Sequence, residues 1–264
     1  AAHDGHIACH ETGAIEATGH KVLPIPCVDG KITADQVREF CHSHQTNTMR
    51  EHMVQPGMVY ISFPTEIGSL YTKKELKELS AACHENGIPL YIDGARMGYG
   101  LTSPDADVTL QDIASLCDMF YIGGTKCGAV MGEALVITNP ALKEGFRYTI
   151  KQHGGLLAKG RYLGIQFDVL FEDDLYFTIC KKAVEQSMAI RRAFEEKGIQ
   201  MDSDSSTNQQ FPILTREQMD KLAQKYSYEI WEEYDETHTV VRFCTSWATQ
   251  DQNVQQLLED IRAL

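Results

Sequence analysis

Short apolar runs that each end in a polar bend constrain this chain more than any other feature. Gly57-Met58-Val59-Tyr60-Ile61-Ser62, Ile88-Pro89-Leu90-Tyr91-Ile92 and Met119-Phe120-Tyr121-Ile122 read as buried strands, and Ala134-Leu135-Val136-Ile137 reads as a fourth. Between them lie amphipathic stretches. Thr33 to His44 predicts a helix capped by Thr33, with Val37, Phe40 and Cys41 on one face. Thr72 to Asn86 predicts another, with Leu76, Leu79 and Cys83 at helical spacing and Asn86-Gly87 as its stop. Thr109 to Leu116 is a short third. Strand–helix alternation of this kind predicts an α/β fold with a mainly parallel sheet. Ligands of such sheets bind beyond the carboxyl ends of the strands. Three strand ends here carry reactive side chains: Thr65-Glu66, Asp93 with Arg96, and Lys126.

Each residue alone has a plain explanation. Lys126 follows Gly123-Gly124-Thr125, and a lysine on a glycine-rich loop is usually a surface residue. Asp93-Gly94 is a common turn pair, with Arg96 as an ion-pair partner. Their convergence points elsewhere. A lysine partly withdrawn from water has a lowered pKa and suits Schiff-base chemistry. A carboxylate just past a buried strand needs a cationic partner.

The remainder of the chain reads as follows. Residues 14–19 are helix-like, and Val22-Leu23-Pro24-Ile25 predicts a short strand. Ala141 to Gln152 predicts one helix, interrupted at His153-Gly154-Gly155. Long helical material from Leu156 to Lys197 breaks near Glu172-Asp173-Asp174. Beyond Gly198 the texture changes to strands at Phe211-Leu214, Tyr228-Trp231 and Thr239-Phe243, with helices at Arg216-Lys225 and Gln250-Leu264. A large unit over residues 1–170 and a small α+β unit over residues 171–264 are expected.

Composition excludes several classes. The formal net charge is −13 and no basic stripe occurs, so nucleic acid is not an expected partner. No apolar run approaches the roughly 18 residues of a membrane span. The polar, histidine-rich N-terminus is not a signal peptide. Eight cysteines are scattered without a C-x-x-C pair, a usage that suits a reducing cytoplasm. His3, His6, Cys9 and His10 are dense, but their spacing fits no standard zinc pattern, so no metal is expected.

Asp93-Gly94-Ala95-Arg96 after one strand and Thr125-Lys126-Cys127-Gly128 after the next resemble blocks of the threonine aldolase family, within the β-eliminating lyases of the aspartate-aminotransferase-type (fold type I) pyridoxal-phosphate enzymes. The segment His6-Ile7-Ala8-Cys9-His10-Glu11-Thr12-Gly13 resembles the family's His…Glu-x-Gly block, and Val240-Val241-Arg242-Phe243 its substrate-arginine strand. The matching blocks run from residue 6 to about residue 245. The resemblance implies pyridoxal 5′-phosphate as cofactor. Lys126 is its lysine, Asp93 its ring-nitrogen partner and His6 its stacking residue, with Arg96 and Thr125 beside it. Arg242, helped by Arg96, holds the substrate carboxylate. The implied reaction is retro-aldol cleavage of threonine or allo-threonine to glycine and an aldehyde. The base that takes the β-hydroxyl proton is Glu66, His6 or a water. Where the family has Glu-Asn-Thr-His, this chain has Phe63-Pro64-Thr65-Glu66, so Glu66 stands at the histidine position, as a base or as a structural residue.

Transamination or β-elimination would use the same parts, since the cofactor supplies the electron sink. A non-catalytic remnant with a structural or binding role is the alternative of another class. No phosphate-binding loop precedes His6. The expectation is therefore that an N-terminal segment is missing and that this polypeptide binds the cofactor poorly by itself. The resemblance further implies a homodimer or homotetramer with shared sites.

Overall fold

In the computed structural model, which describes all 264 residues, the apolar runs form β1 (Val59–Ser62), β2 (Leu90–Asp93), β3 (Met119–Ile122) and β4 (Ala134–Ile137). They make one sheet in the order β1-β2-β3-β4. The first three strands are parallel, and β4 returns antiparallel to β3. The loop between β3 and β4 carries Lys126. The chain is thus α/β with a mainly parallel sheet and a smaller, antiparallel C-terminal sheet.

The strands are half-buried rather than buried on both faces, which corrects the reading from apolar runs. Val59, Ile61, Leu90, Ile92, Phe120 and Ile122 are buried. Successive residues of a strand face opposite ways. Tyr60 pairs in register with Tyr91, and Ser62 with Asp93, so these four share the other face, with Tyr121 beside them on β3. Tyrosine brings an apolar ring and a hydroxyl that needs a partner. That explains why runs so rich in tyrosine pack one face and leave the second polar.

Helices cover the apolar face. α1 (His6–Cys9) and α2 (Ala14–Ala17) are single turns, followed by α3 (Ala34–Thr46). α4 (Lys73–Glu85) joins β1 to β2, and α5 (Met97–Leu101) and α6 (Leu110–Leu116) lead to β3. Thr33 with Gln36, Thr72 with Glu75 and Thr109 with Asp112 form capping boxes that start α3, α4 and α6. Val37 and Cys41 from α3 and Leu76, Leu79 and Cys83 from α4 enter the main core. The strand expected at residues 22–25 is absent except for one bridge from Ile25 to Ala2. Pro24 and Pro26 remove the donors a ladder would need.

The single helix expected from Ala141 to Gln152 is divided. A 3₁₀ turn spans Pro140–Leu142, Gly145 adopts φ 70°, and α7 (Phe146–Gln152) follows. α8 (Arg161–Phe171) ends where Asp173 and Asp174 turn left-handed, and α9 (Leu175–Glu196) resumes. α9 spans two cores. Tyr176, Cys180, Ala183 and Val184 belong to the first, and Ile190, Ala193 and Phe194 to the second. The second core is closed by α10 (Arg216–Leu222), α11 (Asp251–Arg262) and a sheet of β5 (Gln209–Gln210), β6 (Ile213–Thr215), β7 (Glu229–Glu233) and β8 (His238–Cys244). The strand expected at residues 211–214 is observed as β6, with Phe211 and Pro212 separating it from β5.

Two loops cross at the carboxyl end of the sheet with almost no space between backbones. A Cβ on Gly94 would lie 1.9 Å from the Tyr121 carbonyl oxygen, and one on Gly123 would lie 2.3 Å from that of Ala95. The Gly123 N–H donates to the Gly94 carbonyl at 2.8 Å. Tyr176 pins the crossing, its hydroxyl donating to the Gly123 carbonyl and accepting from the Gly98 N–H, each at 3.0 Å. Gly123→Ala is therefore expected to destabilise by about 1–3 kcal/mol, because backbone cannot yield as a side chain can. Gly164→Ala, inside α8 with open space around it, is expected to be neutral or to stabilise by about 0.5–1 kcal/mol. Urea unfolding of both variants checks this, and an unchanged midpoint for Gly123→Ala would contradict it.

Candidate active site

Asp93 is the most completely held group at the sheet's end. It is 9% exposed. The Tyr60 hydroxyl donates to its Oδ2 at 2.7 Å, the Tyr121 hydroxyl donates to its Oδ1, and the Ala95 N–H donates to Oδ1 at 2.9 Å. Burial first, and the Asp93 charge second, push both phenols far above the usual tyrosine pKa, so they remain donors. A carboxylate offers about four acceptor positions, and three are filled here. One position remains for a cation.

Lys126 lies across the glycine crossing. Its carbonyl accepts from the Tyr99 hydroxyl, which in turn accepts from the Trp247 N–H at 3.3 Å. The residue keeps an exposed surface, yet the pKa of its ammonium is lowered, first by burial and then by the Arg96 charge. Asp93 and Glu133 act in the opposite direction, and Arg242 adds to the lowering. Four charged side chains from three separate stretches therefore bear on this amine. Arg96 has no carboxylate partner within the chain. Glu133 accepts from the Gly124 N–H, fixing the loop just before Lys126.

Arg242 reaches the site from β8. Its Nη1 donates to Gln209 Oε1 at 3.1 Å, and Gln209 Nε2 donates to the Glu66 carbonyl at 3.4 Å. Its Nη2 is paired with Glu229, its cross-strand neighbour on β7. The guanidinium also lies over the Trp231 ring, 5.0 Å from the centroid. Its side chain is only 16% exposed, and its Nε is buried without any partner. An orphaned buried donor of this kind is costly and calls for an acceptor from outside the chain.

Glu66 accepts at Oε1 from the Ser62 hydroxyl at 2.6 Å and from the His6 N–H at 2.8 Å. Burial raises its pKa, and those two hydrogen bonds offset part of the rise. His6 is tied to this loop by its backbone. Its ring is turned to Glu11, with Nδ1 and Oε1 2.6 Å apart, and to His10 at a centroid distance of 5.2 Å. Thr125 is exposed on the loop before Lys126. Asp93, Arg96, Lys126 and Arg242 thus form one charged group, the Glu66 loop is joined to it through Gln209, Thr125 adjoins Lys126 in sequence, and the His6 ring is engaged by Glu11 and His10.

Sequence reasoning missed Tyr60, Tyr121, Glu133, Gln209 and Glu229. Period-two alternation sets the face of each tyrosine within its own strand, but placing them against Asp93 needs the strand register. The other three depend on pairing that only the folded chain reveals. A separate cleft of about 700 Å³ runs along the outer side of β1, lined by residues such as Ile15, Leu23, Phe40 and Met58; it includes neither Asp93 nor Lys126.

The family described as beta-eliminating lyase matches residues 1–233. A low specificity L-threonine aldolase from Pseudomonas sp. (strain NCIMB 10558) is 31% identical, over 98% of this chain and 74% of that protein. A second, from Pseudomonas aeruginosa, is 28% identical over 97% of this chain and 73% of its own length. The solved structure of Leishmania major threonine aldolase superimposes with a TM-score of 0.95 at 44% identity, covering 100% of this chain and 76% of that one. With a family match along most of its length and a relative above 30% identity along nearly all of it, the chain belongs to the beta-eliminating lyase family and is similar within it to the threonine aldolases.

Proposed function

We propose that this protein is a pyridoxal-phosphate-dependent carbon–carbon lyase that cleaves threonine or allo-threonine to glycine and acetaldehyde. The observation that carries this reading is the convergence of Asp93, Arg96 and Arg242 on a lysine whose pKa is lowered. The residues fit the cofactor and an amino-acid substrate. Asp93 has one acceptor position left for a protonated ring nitrogen, Arg96 is a free cation for an anionic group, and Arg242 carries an orphaned donor. When bound, the cofactor supplies an electron sink for the pair released as the Cα–Cβ bond breaks.

The chain's own residues do the remaining work. Lys126 offers an amine that sheds its proton more readily than an ordinary lysine, as bond formation with an aldehyde requires. Tyr60 and Tyr121 hold the Asp93 carboxylate in place. Arg242 recognises the substrate carboxylate through its planar fork, and Arg96 assists. Glu229 occupies part of that fork, but it is 59% exposed and yields at little cost. Glu66, whose pKa is raised toward the working range, takes the β-hydroxyl proton. His6 would stack on the cofactor ring and Thr125 would help to hold the cofactor, as the family resemblance implies. Residues 1–170 supply the cofactor lysine and its partners, and residues 171–264 supply Arg242. Subunits share sites in a homo-oligomer. All eight cysteines are free, in accord with a reducing cytoplasm. No helix is long and apolar enough to cross a membrane.

Incubation of the complete protein with threonine and pyridoxal phosphate is expected to release glycine and acetaldehyde in equal amounts. Release of ammonia with 2-oxobutanoate, or of nothing, would contradict the reading. Glu66 also sets a pH dependence. Its folded pKa is raised, so the stability it contributes is complete below the ordinary value of 4.5 and is lost as pH rises through the folded value. The melting temperature of Glu66→Gln relative to the parent should therefore climb as pH is raised from about 4.5 to neutrality. A difference that is flat or falls over this range would contradict the burial of Glu66.

A further inference from the structure

The Arg242 guanidinium has one held side and one movable side. Trp231 lies over its plane and packs edge-on against the buried Phe211 at a centroid distance of 5.2 Å. The register of β7 on β8 slips between Ile230 and Glu232, and bulges of this kind re-aim side chains. Gln209, which has no exposed surface, takes Nη1 and is anchored in turn on the Glu66 carbonyl. Buried groups therefore hold the ring face and the Nη1 end.

The remaining edge is held by Glu229 alone. In a guanidinium, the Nε–H and one N–H of Nη2 lie side by side, at the spacing of the two oxygens of a carboxylate. Glu229 stands directly opposite Arg242 in the strand register, reaches Nη2 through Oε2 and leaves Nε without a partner. An edge suited to two hydrogen bonds thus makes one. Nε has no accessible surface in this arrangement, so an outside acceptor reaches it only after a neighbour moves. Glu229 is the neighbour free to move, its side chain being 59% exposed against 16% for Arg242. The charges of Arg242, Arg96, Glu229 and Lys126 all bear on the Cys244 thiol, which places Glu229 among three cations.

We infer that Glu229 is a tethered stand-in for the substrate carboxylate, filling one of its two positions on Arg242 until substrate displaces it. This rests on the reading of Arg242 as the residue that binds the carboxylate. The exchange replaces one hydrogen bond by two and gives the buried Nε its acceptor. Until then Glu229 neutralises the empty clamp. Substrate affinity is lowered by the fraction of time that Glu229 occupies the position, a penalty of about two- to six-fold for an exposed ion pair.

Propanoate, a carboxylate with no amine to react with the cofactor, is the probe. It is titrated into the complete protein at constant ionic strength and read by the fluorescence of Trp231, with Trp231→Phe separating that signal from Trp247, the only other tryptophan. Glu229→Ala is expected to lower the propanoate dissociation constant and the KM for threonine about two- to six-fold, with kcat changed less than about twofold. Glu229→Gln, which keeps the shape of the side chain, should move both constants the same way. Arg242→Lys should weaken propanoate binding more than about tenfold. If it does not, the reading of Arg242 fails and the inference falls with it. If Arg242→Lys weakens binding as expected but neither Glu229 variant binds propanoate more tightly than the parent, Glu229 only holds Arg242 in place, and the inference alone is overturned.

Discussion

The contact between the backbones at Gly94 and Gly123 is the constraint on which the site depends. Two strand ends with opposite charges would ordinarily be kept apart by the width of their side chains. Here neither residue has a side chain, and the loops cross at hydrogen-bond distance. Asp93 lies one residue before the first glycine and Lys126 three residues after the second. Their proximity follows from the crossing rather than from direct attraction, and Tyr176 locks it from the helical side.

The electrostatics follow from this geometry. Asp93 is buried but held by three protein donors, two of them phenols kept protonated first by burial and then by its charge. Lys126 is pulled in both directions, with burial and two arginines outweighing two carboxylates. A lysine so placed is a better nucleophile than one on an open loop. The second structural unit completes the arrangement. Gln209 links Arg242 to the loop that holds Glu66, and Trp247 reaches the Lys126 carbonyl through Tyr99. The Arg242 guanidinium is therefore linked to the loop of Glu66 while its charge bears on the Lys126 amine.

Much of this was legible in the sequence, for definite reasons. Thr33, Thr72 and Thr109 each precede a residue that completes a capping box, so the helix starts were encoded locally. β3 and β4 were encoded by apolar runs bounded by glycines. Family resemblance singled out Asp93 and Lys126, which local pattern alone left as turn and surface residues, and the fold brings the loops that carry them to one end of the sheet. What escaped is non-local. The tyrosine face of the sheet requires strand register, the Arg242–Glu229 pairing requires β7 against β8, and the orphaned Arg242 Nε emerges only from packing. Prolines explain the misreading at residues 22–25, where strand propensity was read without counting lost donors.

The claim that Lys126 is the cofactor lysine is open to one direct measurement. The complete protein would be mixed with pyridoxal phosphate, reduced with borohydride, digested and mapped by mass spectrometry. A pyridoxyl group on the peptide containing Lys126, and on no other lysine in stoichiometric amount, is the predicted result. A stoichiometric adduct on a different lysine would contradict the account.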